Sequence, residues 1–209
     1  HIAQGEPPKG VRIQLEKNIP MGGGLGGGSS DAATTLVALN VLWKIDLAQH
    51  QLEKLGLSLG ADIPIFVHGH AAWAEGIGEQ LTDATPQTPY YLVACPACEV
   101  DTGEIFSDKR LTRDTPKMKI APALKGVITN LYDTNSPFNN DCENIVCEHY
   151  PEVKSAMDWL INYSKPRLTG TGGCIFAEFA DIQKAKESAL KAPSSIKTFV
   201  TKALNVSPL

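Results

Sequence analysis

The sequence contains no apolar stretch approaching the ~20 residues needed to span a bilayer, and the expected location is the cytoplasm. It has no run of Lys or Arg long enough to neutralise a nucleic-acid backbone. Nineteen basic against twenty-three acidic side chains leave a net charge of -4, so no DNA or RNA partner is expected. Cysteine is sparse: Cys95, Cys98, Cys142, Cys147 and Cys174 are too few and too scattered in 209 residues for a disulfide framework, and reduced thiols are expected. Cys95-Pro-Ala-Cys98 has the spacing of half a zinc site or of a redox pair, but no second pair completes a tetrahedral set. Two ordinary thiols after an apolar strand are expected there. His68 and His70 straddle Gly69 with no third ligand nearby in the sequence, so they are expected to be turn residues and no structural metal is predicted. No internal repeat or low-complexity tract is present. The first residue is His1, not Met, and the chain is expected to be a fragment lacking its start.

What remains is a chain with 43% hydrophobic and 20% charged residues, able to bury the core of one large domain or two small ones. Val11, Ile13 and Leu15 alternate with Arg12, Gln14 and Glu16, which predicts a half-buried strand entering a glycine-rich loop. Ser29-Ser30-Asp31 offers capping groups for a helix carrying Ala32, Leu36, Leu39 and Trp43 on one face, to about Lys44. Asp46 is placed to cap a second helix through Leu55, ending near Gly56 or Gly60. Strands are predicted at Ile65 to Val67, Ala71 to Ala74 and Tyr90 to Cys95. Thr82 to Pro89 is polar, contains two prolines and reads as a connection, dividing a domain 1-83 from a domain 84-209. Partly helical segments are predicted over Pro116 to Ile128 and Asp141 to His149, and Pro151 is suited to the first position of a further helix. A second glycine-rich turn, Leu168 to Gly173, precedes a strand Cys174 to Phe179, a helix Asp181 to Leu190 and a strand Ile196 to Leu204. The fold class expected is α+β.

The loop Pro20-Met21-Gly22-Gly23-Gly24-Leu25-Gly26-Gly27-Gly28-Ser29-Ser30 carries the chemistry. Six glycines in the seven residues Gly22 to Gly28 remove the Cβ atoms that would hold a ligand off the backbone, and a helix start next to them adds unsatisfied N-H groups and the positive end of a dipole. Such a loop is a phosphate cradle, with the Ser29 and Ser30 hydroxyls available to a phosphate oxygen or a magnesium ion. Its rival explanation is a glycine linker that binds nothing. A Walker loop is excluded, because Gly28 is followed by Ser29 and not by Lys. A dinucleotide loop fits Gly24 to Ser29 imperfectly, and no acidic residue ends a strand about 20 residues later.

On these residues the sequence resembles the GHMP kinase superfamily, whose ATP motif is a Pro-x-x-x-Gly-Leu-Gly-type loop opening a helix. It is similar in particular to the branch acting on a cytidine diphosphate-linked methylerythritol in the non-mevalonate isoprenoid route. The likeness continues through Leu59-Gly-Ala-Asp-Ile-Pro-Ile-Phe66, Ala74-Glu-Gly-Ile-Gly-Glu79 and Leu168-Thr-Gly-Thr-Gly-Gly-Cys-Ile-Phe176. The resemblance implies a two-domain GHMP kinase fold with the active site between the domains, the N-terminal one incomplete here. It also implies ATP with Mg2+ as the phosphoryl donor and a small-molecule acceptor.

By spacing alone, Asp62 in Gly60-Ala-Asp-Ile-Pro64 would bond its own backbone at a turn. The resemblance implies instead that it is the catalytic base, taking the proton of the acceptor hydroxyl as that oxygen attacks the γ-phosphorus. Phe106 is similar in context to the family's phenylalanine that stacks on cytosine, with burial in the core as the alternative. Thr102 can bond the substrate diphosphate or cap its turn, and Thr169, Gly170, Thr171 and Gly172 match the third motif of the superfamily, a bare β-turn being the alternative. The family also supplies a lysine from a Pro-Ala-Lys-type motif near its N-terminus. That motif does not occur here, and Lys9 and Lys17 lie in the wrong context to replace it. This polypeptide alone is therefore expected to have little activity. Competing expectations are another GHMP kinase, for homoserine, mevalonate or a sugar, and a nucleotide-binding sensor without catalysis.

Overall fold

The structure, a computed structural model, describes residues 10-115 and 140-208. The expected helical segment Pro116 to Ile128 lies outside the described residues, as does Lys9. The chain divides into two compact units. One holds Gly26–Asp83 with the stretch ending at Asn18 and the one beginning at Val206, and the other holds Ile19–Leu25 and Ala84–Asn205.

In the first unit, α1 (Gly27–Leu42), α2 (Gln49–Leu57) and α3 (Ile63–His68) pack around Ala33, Leu52, Ile63 and Val67, with Leu36, Leu47 and Phe66 at the margin. Helix α1 starts earlier than the sequence suggests. Its cap is Gly26 in the left-handed region (φ 68°), so Ser29, Ser30 and Asp31 fall inside the first turns instead of capping them. Only glycine takes that conformation without strain. The turn after α1 puts Lys44 and Asp46 at positive φ, and Asn40 closes it by exchanging both amide hydrogen bonds with Leu47, at 3.1 and 3.0 Å. Asp46 is thus consumed in the turn, and the N-cap of α2 is Ala48, whose N-H donates to Gln51 Oε1 at 2.9 Å.

Two strand expectations fail here, each decided by tertiary contacts. Ile65, Phe66 and Val67 are β-prone by type, yet they lie in α3, because Ile63 and Val67 fill the core against α1 and α2. Pro64 is tolerated at the helix start, where its missing N-H has no duty, and Gly69 at φ 72° ends the helix. Residues 11-16 keep their alternating pattern but form no ladder among the described residues, and Val11, Ile13 and Leu15 are 46%, 60% and 57% exposed. A period of two needs a neighbouring strand to become structure. β1 (Ala72–Glu75) and β2 (Gln80–Asp83) form an antiparallel hairpin that completes the unit.

The second unit is built on a four-stranded antiparallel sheet in the order β4-β5-β3-β6, where β3 is Tyr90–Pro96, β4 Pro166–Leu168, β5 Ile175–Phe179 and β6 Ile196–Lys202. Helices α4 (Thr102–Ser107), α5 (Glu143–His149), α6 (Pro151–Leu160) and α7 (Ile182–Ala189) accompany it. Its core joins Leu92 and Ala94 of β3, Ile175 and Ala177 of β5, Ile105 of α4, Val146 of α5, Val153 and Leu160 of α6 and Ala185 of α7. Pro151 opens α6 as the sequence suggests, and Asp181 caps α7 by accepting from the Gln183 N-H at 2.8 Å. No helix among the described residues is long and apolar enough to cross a membrane.

Candidate functional site

The glycine-rich stretch is shared between the units: through Leu25 it belongs to the second, and from Gly26 to the first.

In the second unit, residues 20-25 are laid backbone to backbone on the turn 169-173. Gly173 N-H donates to Gly22 O at 3.1 Å, Cys174 N-H to Gly23 O at 3.2 Å, and the Thr169 hydroxyl to Gly23 O at 2.6 Å. The same hydroxyl lies 2.8 Å from Cys174 O and can turn to it. A Cβ on Gly172 would stand 2.0 Å from Gly24 N, and one on Gly24, itself at φ 68°, would stand 2.3 Å from Thr169 O. These glycines are required by the fold because two main chains meet with nothing between them. Thr169 is buried, and its hydroxyl is committed to the loop. Gly170 is exposed and accepts from the Asn140 side-chain amide at 2.5 Å, while the Thr171 hydroxyl donates to that of Thr102 at 3.1 Å. Asn140 has no local sequence signal of this role, which depends on a contact thirty residues away.

Thr102 and Phe106 are four residues apart on α4, so they share a face one turn apart. The cap of α4 is Asp101, whose carboxylate accepts from the N-H groups of Gly103 (2.8 Å) and Glu104 (3.1 Å), so Thr102 does not serve as the cap. Ile105 is fully buried and anchors the helix, whereas Phe106 is 50% exposed. Phe106 is therefore not a core residue. Arg113 donates to its carbonyl oxygen, and the Tyr150 hydroxyl accepts from the Asp101 N-H at 3.0 Å, fixing both ends of the short helix.

In the first unit, α1 begins with no side-chain cap and no acidic residue in its first turn, so its N-terminal N-H groups and the positive dipole end are left for an external anion. A Cβ at Gly28 would meet nothing within 4 Å, and Gly28 has an ordinary helical φ. Gly26 differs: its Cα faces the Phe66 ring of α3, and a Cβ there would come within 2.7 Å of it. Asp62 precedes α3 by one residue. Its carboxylate is exposed, caps nothing and has no hydrogen-bond partner among the described residues, so a turn-stabilising use of that side chain is not seen. The hairpin turn 76-79 lies against the preceding residue, Ala61. Gly78, at φ 113°, approaches Ala61 so closely that a Cβ would stand 2.8 Å from the Ala61 carbonyl oxygen. The Glu79 carboxylate accepts the Ile77 N-H at 2.7 Å, and backbone hydrogen bonds hold its pKa below the ordinary value. Lys17 pairs with Asp31 on α1 at 2.7 Å.

His68, expected as a plain turn residue, ends α3 between two carboxylates: Nδ1 lies 3.1 Å from Glu53 and Nε2 2.7 Å from Asp83. Burial alone would lower its pKa, but the hydrogen bonds and charges of Asp83 and Glu53 raise it overall.

Residues 1-70 match the family model described as the GHMP kinases N terminal domain. The 4-diphosphocytidyl-2-C-methyl-D-erythritol kinase of Hahella chejuensis (strain KCTC 2396) is 50% identical over 214 residues, which take in 100% of this chain and 70% of that protein. The protein of the same name from Shewanella halifaxensis (strain HAW-EB4) is 48% identical over 200 residues, covering 96% of this chain and 67% of its own length. The chain thus spans about two thirds of these relatives. A crystal structure of 4-(cytidine 5'-diphospho)-2C-methyl-D-erythritol kinase superposes with a TM-score of 0.73 at 26% identity, over 90% of this chain and 68% of that one. A homoserine kinase from Cytophaga hutchinsonii shares the fold alone, with a TM-score of 0.61 at 15% identity over 91% of this chain and 69% of its own.

Proposed function

The chain belongs to the 4-diphosphocytidyl-2-C-methyl-D-erythritol kinases, a branch of the GHMP kinases, and from that membership we propose which of its residues perform the transfer. The reaction moves the γ-phosphoryl group of ATP to the 2-hydroxyl of 4-diphosphocytidyl-2-C-methyl-D-erythritol, in the cytoplasm. The observation that supports the nucleotide assignment best is the uncapped start of α1, where no side chain bonds the first-turn N-H groups and a Cβ on Gly28 would meet nothing within 4 Å. Pro20 through Ser30 bind ATP, the backbone of Gly26, Gly27 and Gly28 and the hydroxyls of Ser29 and Ser30 receiving its phosphates.

Asp62 takes the proton of the acceptor hydroxyl. Its carboxylate is free of other hydrogen bonds among the described residues and is held at the start of α3, the helix whose Phe66 ring touches Gly26. Phe106 stacks on cytosine from the exposed face of α4, and Thr102 meets the diphosphate from the same face; in the turn formed by Thr169, Gly170, Thr171 and Gly172, the N-H groups of Thr169 and Gly172 are bonded to Cys174 O and Thr169 O, so Gly170 and Thr171 carry the backbone donors to the substrate. No group of three His, Cys, Asp or Glu side chains among the described residues could cage a metal. Mg2+ is taken to enter with ATP, and when bound it would offset charge on the phosphate oxygens.

Replacing Asp62 by Asn tests the assignment, with turnover measured in the chain extended upstream by a Pro-Ala-Lys-type segment and binding measured by calorimetry. Turnover of the cytidyl substrate is expected to fall at least about 100-fold, as for loss of a general base, with ATP affinity changed less than about twofold. Unchanged turnover removes Asp62 from the mechanism. ATP binding by the same extended chain with Asp62 intact, and no phosphorylation of any acceptor, would indicate a nucleotide sensor.

A further inference from the structure

The antiparallel register of the second unit brings together two cysteines that stand 79 residues apart in sequence. β3 and β5 pair Ala94 with Ile175, and the next rung sets Cys95 opposite Cys174. Directly opposed residues project to the same face of a sheet, and here the two sulfurs are 3.0 Å apart. Both side chains are buried, at 5% and 2% exposure. On its other side Cys95 is opposite Lys197 of β6.

We propose that Cys95 and Cys174 are an oxidation site, a cross-strand dithiol that a peroxide closes to a disulfide against the glycine turn. Bond formation needs the sulfurs to approach by only about 1 Å, to the usual ~2.05 Å. The Cys174 thiol donates its hydrogen bond to the Cys95 sulfur, which, helped by Lys197, lowers the Cys95 pKa against the opposing effect of burial. The same interaction and burial push the Cys174 thiol up. Of the two, Cys95 is therefore the one that more readily gives up its proton and attacks. Its sulfur takes one oxygen of hydrogen peroxide, the O-O bond breaks, and the released hydroxide is protonated to water. The Cys174 sulfur then attacks the resulting sulfenic acid, the S-O bond breaks, and a second water leaves with the Cys174 proton. Two thiols are oxidised by two electrons in all, and one peroxide is reduced to two waters.

The bridge forms at the base of the turn described above. Cys174 N-H holds Gly23 O at 3.2 Å, and the Cys174 sulfur lies 2.7 Å from where a Cβ on Gly23 would be. Cys98 is the competing thiol: its sulfur lies 3.3 Å from a Cβ position on Gly173, but burial and the Glu152 charge raise its pKa. This inference does not rest on the kinase assignment.

The test treats the native 209-residue chain with one equivalent of hydrogen peroxide, blocks remaining thiols with N-ethylmaleimide in denaturant, and maps the peptides by mass spectrometry. Blocked thiols are expected to fall from the five free cysteines of the chain to three, with a peptide linking Cys95 to Cys174 that dithiothreitol dissolves. The link should vanish in Cys95→Ser and persist in Cys147→Ser. Retention of five blockable thiols, a link through Cys98 instead, or sulfinic acid at Cys95 without a bridge would each overturn the proposal. Mapping of the unmutated chain decides the matter even where a variant fails to fold.

Discussion

The replacement of Gly28 by Ala separates a glycine kept for the fold from one kept for a ligand. Gly28 occupies the second position of α1, its φ is ordinary, and a Cβ there meets no atom within 4 Å. The protein alone therefore has no use for glycine at this position. Alanine in a helix is better than glycine by about 0.5–1 kcal/mol, chiefly through the unfolded chain. At about 2–4 °C per kcal/mol for a chain of this size, the melting temperature should rise by about 1–4 °C. If phosphate oxygens approach the first-turn N-H groups, the added methyl group stands in their path. Losing one hydrogen bond to a charged group costs about 1.5–3 kcal/mol, so ATP affinity should fall about 10- to 100-fold. Calorimetric titration with ATP and a thermal melt of the same preparation give both quantities. A variant that is more stable yet binds ATP as tightly as the parent would refute the phosphate-cradle argument, because the open space at Gly28 would then serve no ligand.

Gly172→Ala should behave in the opposite way. Its Cβ would collide with Gly24 N at 2.0 Å and prise apart the backbones joined at Gly22 and Gly23, so scanning calorimetry should show a loss of about 2–4 kcal/mol from overpacking and weakened hydrogen bonds; a melting temperature within 1 °C or so of the parent would show that the turn relaxes freely. Phe106→Ala should leave stability within about 0.5 kcal/mol, since the ring is 50% exposed, while weakening binding of the cytidyl substrate about 2- to 10-fold through lost stacking, read by titration with that substrate. His68 makes the first unit pH-sensitive. Because its folded pKa is raised, the pairs with Glu53 and Asp83 stabilise fully below the unfolded value near 6.5 and lose that contribution as pH rises through the higher folded value. Unfolding free energies from urea titrations between about pH 6 and pH 8 should therefore decline by up to about 1 kcal/mol, and His68→Gln should flatten the slope; a variant keeping the parent's slope would place the titration elsewhere.

Elements whose instructions are local were legible in the sequence. Pro151 at the start of α6, Asp181 capping α7, and the apolar run that became β3 each follow from a residue and its immediate neighbours. The glycine-rich motif and the motif around Asp62 were legible as family signatures, because glycine density is a property of consecutive residues, and their order along the chain identified the kinase family before any contact was known.

Tertiary structure decided the rest, wherever meaning depends on a partner distant in sequence. Ile65 to Val67 are helical because α1 and α2 offer a core to one face of α3, and residues 11-16 remain without a ladder among the described residues despite a strand's periodicity. Within the glycine-rich stretch the sequence cannot rank one glycine over another. Contacts can: Gly24 is held against Thr169, Gly26 against Phe66, and Gly28 against nothing. Cys95 and Cys174 look like unrelated thiols in the sequence and become a pair only when β3 and β5 align. Local composition determined which chemistry this protein carries, and long-range register determined which of its residues stand close enough to take part in it, since hydrogen bonds and steric contact fall off over a few ångströms and are blind to separation along the chain.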